Sequence, residues 1–360
     1  MKKIFFLSVF LMLASCNKGI SQETISEVKK NENFWKQREK MITDNEKDNE
    51  FPIKKDRLVN EKRVNSIDIH SQSLQFEVYV DDVLLYNFKG EASQHQGGAI
   101  GAHEINPLLL TSGTHEVKVR MYPALGQNIF GDAGGLNLIF FHYPYPNLKQ
   151  VTYNAAMNGE EGIFLDQQKE YWAAEKGEYG KPGYAEAHYE PKEPLKLKGL
   201  PMYEWRSTFE ADVPFDLVGW RNSVNLKKEY EENKNLNNEV IAEYKKIYEI
   251  IKNKDKDKFL QLIREREDLT AETLYYGANE KNARSNEFVK MLQNNDYELE
   301  PLFEETFHLE FQGYGKLVSI LNKADKEGII RLKSKKNPNE KVYLDFLFQR
   351  KKKGDKLSVI

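Results

Sequence analysis

The chain has 360 residues, 53 Lys and Arg against 56 Asp and Glu, and a single cysteine. At roughly 150 residues per domain this length holds about two folded units; 40% hydrophobic and 12% aromatic residues supply their cores, and one cysteine excludes a disulfide-stapled miniprotein. A formal charge of -3 provides no global field to gather DNA or RNA, so no nucleic-acid partner is expected.

Lys2 and Lys3 precede an apolar run from Ile4 to Leu13. At about ten residues the run has the length of an export-signal core and is too short to span a bilayer. It ends in Leu13-Ala14-Ser15-Cys16, which resembles the bacterial lipobox. The resemblance implies that residues 1–15 are a cleaved signal peptide and that Cys16 becomes an acylated first residue inserted into the lipid bilayer. One acyl chain binds a bilayer only marginally, whereas the three implied here anchor stably. No later segment approaches 18 apolar residues, so the chain is expected to be attached to a membrane without crossing it. Asn17 stands where an Asp favours inner-membrane retention in Gram-negative lipoproteins, and the Asn- and Lys-rich style resembles that of Bacteroidetes lipoproteins. Both point to the outer membrane of a bacterial cell envelope.

Residues 16–60 read as a polar tether, because stretches such as Asn45-Glu46-Lys47-Asp48-Asn49-Glu50 have nothing to bury; Ile25 to Met41 has enough scattered apolar residues for one short helix. Period-two patterning then begins. Val64, Ile67 and Ile69 open a strand, Leu74 to Val80 alternates cleanly, Asp81-Asp82 is the turn, and Val83 to Phe88 returns. Ile105 to Leu110 and Glu116 to Met121 read as a second strand pair, and Leu136 to Phe141 as a nearly continuous apolar strand. Such spacing predicts an all-β sandwich, and the phrasing of these segments resembles immunoglobulin-like and jelly-roll modules. Residues 144–200, rich in Tyr, Pro and Gly, read as an excursion, and Tyr203 to Val213 as a half-buried strand returning to the sandwich, so the first domain covers 61–222.

From Leu236 the period becomes 3.6. Leu236, Val240, Tyr244, Ile247 and Ile251 define one helix, and Phe259, Leu260 and Ile263 begin its hairpin partner. A third helix is expected over Asn286 to Leu292. Strands follow at Phe307 to Phe311, Lys316 to Leu321, Gly328 to Leu332, Val342 to Phe348 and Leu357 to Ile360. The whole is therefore mixed in class: an N-terminal all-β sandwich followed by a C-terminal α+β domain, 236–360, with a helical hairpin and a curved antiparallel sheet. The element order of the second domain resembles the nuclear-transport-factor-2-like fold, which implies a cone closed by helices.

Candidates for chemistry are few. His95, His103, Glu104, His115 and Glu116 offer zinc-binding side chains, but their spacing matches no metal motif, so no metal and no cofactor is expected. Neither a G-x-S-x-G elbow nor a phosphate loop is present. Tyr275, Tyr276, His308 and Tyr314 are candidates to line the implied cone, where a Tyr or His acts as acid or base; packing of the sheet is the competing role. Lys333, Lys335, Lys336 and Arg350 to Lys353 are basic clusters interleaved with acids, as solvated turns are. The aromatic residues of the excursion, Tyr145, Tyr153, Tyr171, Trp172, Tyr179, Tyr184 and Tyr189, are candidates for a partner-binding surface, with a lid over the sandwich as the alternative. These features predict a membrane-anchored, non-enzymatic binding module of the assembly-factor or immunity type with a protein partner in the envelope. The alternative is a small-ligand binder or enzyme using the C-terminal pocket.

Overall fold

The computed structural model describes residues 61–90, 93, 98–131, 134–143, 148–158, 162–165, 169–173, 181–183, 195–196, 201–337 and 339–360, with backbone only between 142 and 200 and at 203, 205 and 207. The signal, Cys16, the tether and its expected short helix lie outside the described residues. The chain is mixed, with several antiparallel sheets and a helical segment between them.

Strands β1 (Val64–Gln72), β2 (Gln75–Val80), β3 (Val83–Phe88) and β4 (Ile100–Glu104) precede helix α1 (Asn106–Leu109). Strands β5 (Gly113–Tyr122) and β6 (Gly135–Tyr143) follow. Alternation decides which side chains are buried. Ile67 and Ile69 of β1 lie opposite Phe140 and Leu138 of β6, and they share one core with Phe76, Val78 and Val80 of β2 and Val117, Val119 and Met121 of β5. Core residues thus come from two different sheets, and the intervening positions of β2 and β5 face away from them.

The segment Ile105 to Leu110, expected as a strand, is instead the short helix α1. Pro107 falls in its first turn and Leu110 closes it at φ 58°; proline has no N–H for a ladder and is tolerated where a helix begins. Residues 144–200, expected as an excursion from the first domain, contain several backbone strands. Their backbone forms β7 (Leu148–Asn158), β8 (Gly162–Leu165), β9 (Lys169–Ala173), β10 (Lys181–Gly183) and β11 (Leu195–Lys196). β7 pairs with β6, so these strands extend the first sheet to eight, in the order β10-β9-β7-β6-β1-β4 with β8 and β11 off that path. Pro182, which argued against a strand, lies in β10 at the edge of that order, where a missing N–H breaks no ladder. β12 (Tyr203–Ala211) joins the second sheet, ordered β12-β5-β2-β3.

Helices α2 (Leu226–Glu232), α3 (Asn235–Lys252), α4 (Lys256–Leu262), α5 (Arg264–Thr273) and α6 (Ala278–Gln293) come next. β13 (Tyr297–Leu299), β14 (Phe307–Gln312), β15 (Leu317–Asn322), β16 (Ile330–Ser334), β17 (Lys341–Leu344), β18 (Phe348–Gln349) and β19 (Ser358–Val359) complete the chain. The stripe Leu236, Val240, Tyr244, Ile247, Ile251 of α3 is buried against Val318, Ile320, Phe346 and Phe348. Tyr244 donates to the Phe346 carbonyl at 3.0 Å and accepts from the Ile320 amide at 3.1 Å. The single curved sheet expected here is divided into two, β13-β16-β17 and β14-β15-β18-β19, joined by the isolated bridge Leu321–Gly328. Within the expected boundary region 222–235, α2 packs its Leu226 and Tyr230 into this same core.

A third, smaller core joins the two parts. Val83 and Leu110 from the first, Trp220 from the connection, and Leu317 and Ile360 from the second cluster together. This contact makes the position of the two parts relative to each other a property of the fold.

Candidate functional site

The outward positions of the β12-β5-β2-β3 sheet carry charge and aromatic rings, and several of them, Glu77, Tyr79, Glu116 and Lys118, are buried. Arg120 donates to Glu204 at 2.8 Å, Arg206 donates to the other oxygen of Glu204 at 2.7 Å, and Tyr122 donates to Glu77 at 2.7 Å. The Lys118 ammonium and Arg120 guanidinium lie 4.5 and 5.2 Å from the Tyr79 ring centre. Lys89 lies 3.9 Å from that of Tyr122. Burial, then Glu77, pushes both phenols well above their ordinary value. Each of these charges has an opposite charge or a ring beside it.

The network continues into the contact with the second part. Asp81 and Asp82 occupy the two-residue turn between β2 and β3 with φ of 46° and 62°, and their carboxylates diverge. Asp81 lies 2.6 Å from Nδ1 of His115 and accepts from the Glu116 amide at 2.9 Å. Asp82 pairs with Lys118, accepts from the Tyr314 amide at 2.7 Å, and offers its carbonyl to the Gly313 amide at 2.9 Å. The Tyr314 hydroxyl then donates to Glu116 at 2.8 Å. Gly313 suits glycine: its φ is 57°, and a Cβ there would stand 3.2 Å from Trp220, so a side chain strains the backbone and crowds the ring. Further along, the Leu84 amide donates to Gln312 at 2.8 Å and Asn87 donates to Glu327 at 3.0 Å. At the other end Asn106, fully buried, accepts from the Asn65 amide at 2.8 Å and donates to the carbonyls of Arg63 and Thr273 at 2.7 and 2.9 Å.

Two carboxyls on this seam are displaced towards neutrality. Burial pushes Glu116 up to about 7 against the pull of Arg206 and the Tyr314 hydroxyl. Burial, then the neighbouring Asp345 and Asp325, pushes Glu327 up to about 7. Lys316, whose ammonium donates to the Arg221 carbonyl, is brought down to about 8 by burial and by the Arg221 cation. A carboxyl near 7 is what general acid–base catalysis uses, but Glu116 is only 1% exposed, so no substrate atom reaches it in this conformation. His115 is likewise committed: its Nε2 faces the Thr111 carbonyl at 3.1 Å, an acceptor, so the nitrogen that would serve a nucleophile in an Asp-His relay is occupied.

Open space lies beside the seam. A cleft of about 430 Å³ is bounded by the connection at Leu217, Val218 and Ser223, by Leu269 and Glu272 of α5, and by Lys352. Val218 is 57% exposed at its edge, and Glu265 at its wall is held by Lys351 at 2.8 Å. Apolar walls with a few convergent polar groups are the usual make-up of a ligand pocket.

The sequence candidates fall in separate places. Tyr275 donates to the Arg63 carbonyl at 2.6 Å; Tyr276 follows it at the end of α5, its amide bonded to Ala271. Tyr314 is in the seam, and His308 lies on β14, 3.5 Å from Glu310. None of the four borders the cleft. Tyr153 lies on β7 and Tyr171 and Trp172 on β9, their backbones paired with Leu138, Gln150 and Lys149 respectively; Tyr145, Tyr179, Tyr184 and Tyr189 lie outside the described residues. His103 of β4 stacks on Tyr86, ring centres 4.4 Å apart, His95 lies outside the described residues, and no group of three or more His, Cys, Asp or Glu among the described residues is placed to hold a metal ion. No helix among them is long and apolar enough to cross a membrane. No family model, curated protein or solved structure matches the chain. Asn106 and the pairing of Asp82 with Gly313-Tyr314 escaped the sequence reading; the only local signal was the glycine bracket Gly313-Tyr314-Gly315.

Proposed function

We propose that the chain is a lipid-anchored lipoprotein of the bacterial envelope, held in the outer membrane through acylated Cys16, that works as a non-enzymatic binding module of the assembly-factor or immunity type. The observation that carries this reading is Lys2-Lys3, the apolar core and Leu13-Ala14-Ser15-Cys16 in register at the start of the chain. In the same reading residues 61–222 are a β-sandwich and residues 236–360 an α+β unit of nuclear-transport-factor-2-like type. One core drawn from two sheets and a second drawn from helices and sheets support it. The reading assigns the seam's titratable groups to holding the parts together, in line with the 1% exposure of Glu116. Replacing Cys16 with Ala is expected to abolish labelling by a fatty-acid analogue and to move the protein from the membrane pellet to the soluble fraction; a variant that still labels and pellets overturns the anchor.

The partner surface in this reading is the aromatic set of Tyr145, Tyr153, Tyr171, Trp172, Tyr179, Tyr184 and Tyr189. The combined Tyr179→Ala and Tyr184→Ala change should weaken partner capture by at least about 1 kcal/mol with little change in melting temperature. A large fall in melting temperature with capture intact assigns these rings to packing instead. A second reading, a small-ligand site, is favoured by one observation, the cleft of about 430 Å³, which lies within the roughly 300–1,000 Å³ range of ligand pockets. Leu269→Trp, which fills that cleft, separates the two: it removes small-ligand binding and leaves capture of a protein partner on the aromatic surface unchanged.

A further inference from the structure

We propose that the end of the first two sheets at which β1 turns into β2 is a membrane-contacting tip, which rests its apolar side chains in the headgroup boundary of the phospholipid bilayer that holds Cys16. The proposal rests on the reading of Cys16 as a lipid anchor. Ladder registers bring four segments to this end: Gln72 faces Gly135, Tyr122 faces Gln75, Ile100 faces His70 and Tyr203 faces Met121. The β1–β2 turn, the β5–β6 connection, the start of β4 and the residues before β12 therefore meet there. Ile100, Leu125, Ile129 and Met202 stand on these segments, 80%, 44%, 53% and 43% exposed. They are four of the six large apolar side chains exposed among the described residues.

Single exposed apolar side chains are ordinary, whereas several gathered in one uncharged patch mark a contact surface. Residues 98–102, 123–131 and 201–203 contain no Asp, Glu, Lys or Arg, in a chain that is 30% charged. The flanking Lys89 and Glu204 are taken by Glu77 at 3.5 Å and by Arg120 at 2.8 Å. The β5–β6 connection also has a built conformation. Its Pro123 carbonyl accepts from the Gln75 side chain at 2.9 Å, and the Gln127 amide closes a turn on the Ala124 carbonyl at 2.9 Å, with Gly126 at φ 85°. Leu125 and Ile129 are thus held out in water by a loop whose next residue, Phe130, is folded into the first core.

The chemistry of the surface and the length of chain before it identify the occupant. Apolar side chains with neutral amides suit the headgroup boundary of a bilayer, which takes such side chains to a depth of about 5–10 Å. Without a cation the tip has no preference for anionic lipid. β1 covers nine residues, about 30 Å of strand, and Arg63 before it lies at the opposite end, its amide donating to the Tyr275 hydroxyl at 3.1 Å. Residues 17–60 separate Cys16 from the first described residues, and a flexible chain of that length averages about 35 Å between its ends and extends several times farther. The tip therefore reaches the membrane that holds the anchor. A few side chains at the interface hold a free protein weakly, but a tether makes their insertion an intramolecular event at high effective concentration.

The full lipidated chain in vesicles of phosphatidylethanolamine and phosphatidylcholine tests the proposal. Gln127→Cys, exposed between Leu125 and Ile129, carries an environment-sensitive fluorophore, and Lys353→Cys in the second part is the control. Acylation blocks the Cys16 thiol, so two labels per chain, or a chain that does not float with the vesicles, overturn the anchor and the proposal with it. With one label and flotation, emission at Gln127→Cys should shift to the blue and rise about threefold or more over the same label on the Cys16→Ala chain in buffer. Quencher-bearing lipid should remove the rise, and the label at Lys353→Cys should not respond. Leu125→Asp with Ile129→Asp should abolish the rise and leave flotation intact; quenching is read on the unsubstituted tip and decides even where this variant does not fold. Unchanged emission at Gln127→Cys in floating chains overturns the tip alone. So does a rise that lipid-borne quencher leaves untouched and that grows with protein per vesicle, which assigns the patch to contact between copies.

Discussion

Asn106 illustrates how much one side chain holds. It ties β1, the start of α1 and the end of α5 together from a position with no exposure. Leucine fills the same volume but leaves the Asn65 amide and the Thr273 carbonyl without their partner and takes one of two donors from the Arg63 carbonyl, which keeps Tyr275; each buried unpaired group costs about 1–3 kcal/mol. Asn106→Leu is therefore expected to lower stability by about 3 kcal/mol or more in urea unfolding. Tyr244 is a milder case. Its hydroxyl bridges the Phe346 carbonyl and the Ile320 amide, so Tyr244→Phe should cost about 2 kcal/mol or more, seen as a shift of the midpoint at constant slope.

Among elements, α2 is the one whose role its sequence conceals. Asn225 caps it by accepting from the Lys228 amide at 3.0 Å. Its charged run Leu226-Lys227-Lys228-Glu229-Tyr230 contributes a fully buried Leu226 and a Tyr230 ring 5.6 Å from Phe311. A fragment of residues 224–360 is accordingly expected to unfold cooperatively. One of residues 236–360 should be less stable by about 2–5 kcal/mol, the range for losing one buried leucine contact set, and should be cut faster by protease. The sequence disclosed elements wherever one face is apolar and the other polar, as in β2, β5 and α3. It hid α5, whose Arg264-Glu265-Arg266-Glu267 start shows no apolar stripe because Glu267 is buried against Arg266 and Arg284. It misrepresented α1, where a run of leucines after Pro107 imitates a strand. The candidate site was legible only in pieces: Glu116 and Tyr314 were both noticed, but they are 198 residues apart, and nothing local in either segment announces a contact at that separation.

At the scale of the whole molecule, the seam decides whether the two parts behave as one. Gly313 and Gly354 both have positive φ, 57° and 87°, so alanine strains the backbone at both. Only at Gly313 does the new methyl meet the Trp220 ring at 3.2 Å, whereas at Gly354 it meets nothing within 4 Å. Gly354→Ala should therefore lower the melting temperature slightly and keep a single calorimetric transition. Gly313→Ala should lower it further and split the transition in two, since it displaces the ring that packs with Val83, Leu110, Leu317 and Ile360. Equal effects of the two substitutions would mean that the parts are coupled elsewhere.

The Asp81-Asp82 turn sets speed against grip. Two positive φ values in a two-residue connection suit Asn-Gly or Asp-Gly, so the first aspartate fits the turn and the second stands where glycine is preferred. A hairpin shaped for rapid closure would not carry this pair, yet both carboxylates are engaged, one with His115 and one with Lys118 and Tyr314. Exchanging the pair for Asn-Gly should let β2 and β3 close sooner and raise the refolding rate in stopped-flow measurements. The same exchange should raise the unfolding rate by a larger factor, leaving a chain that folds faster and stays folded for less time.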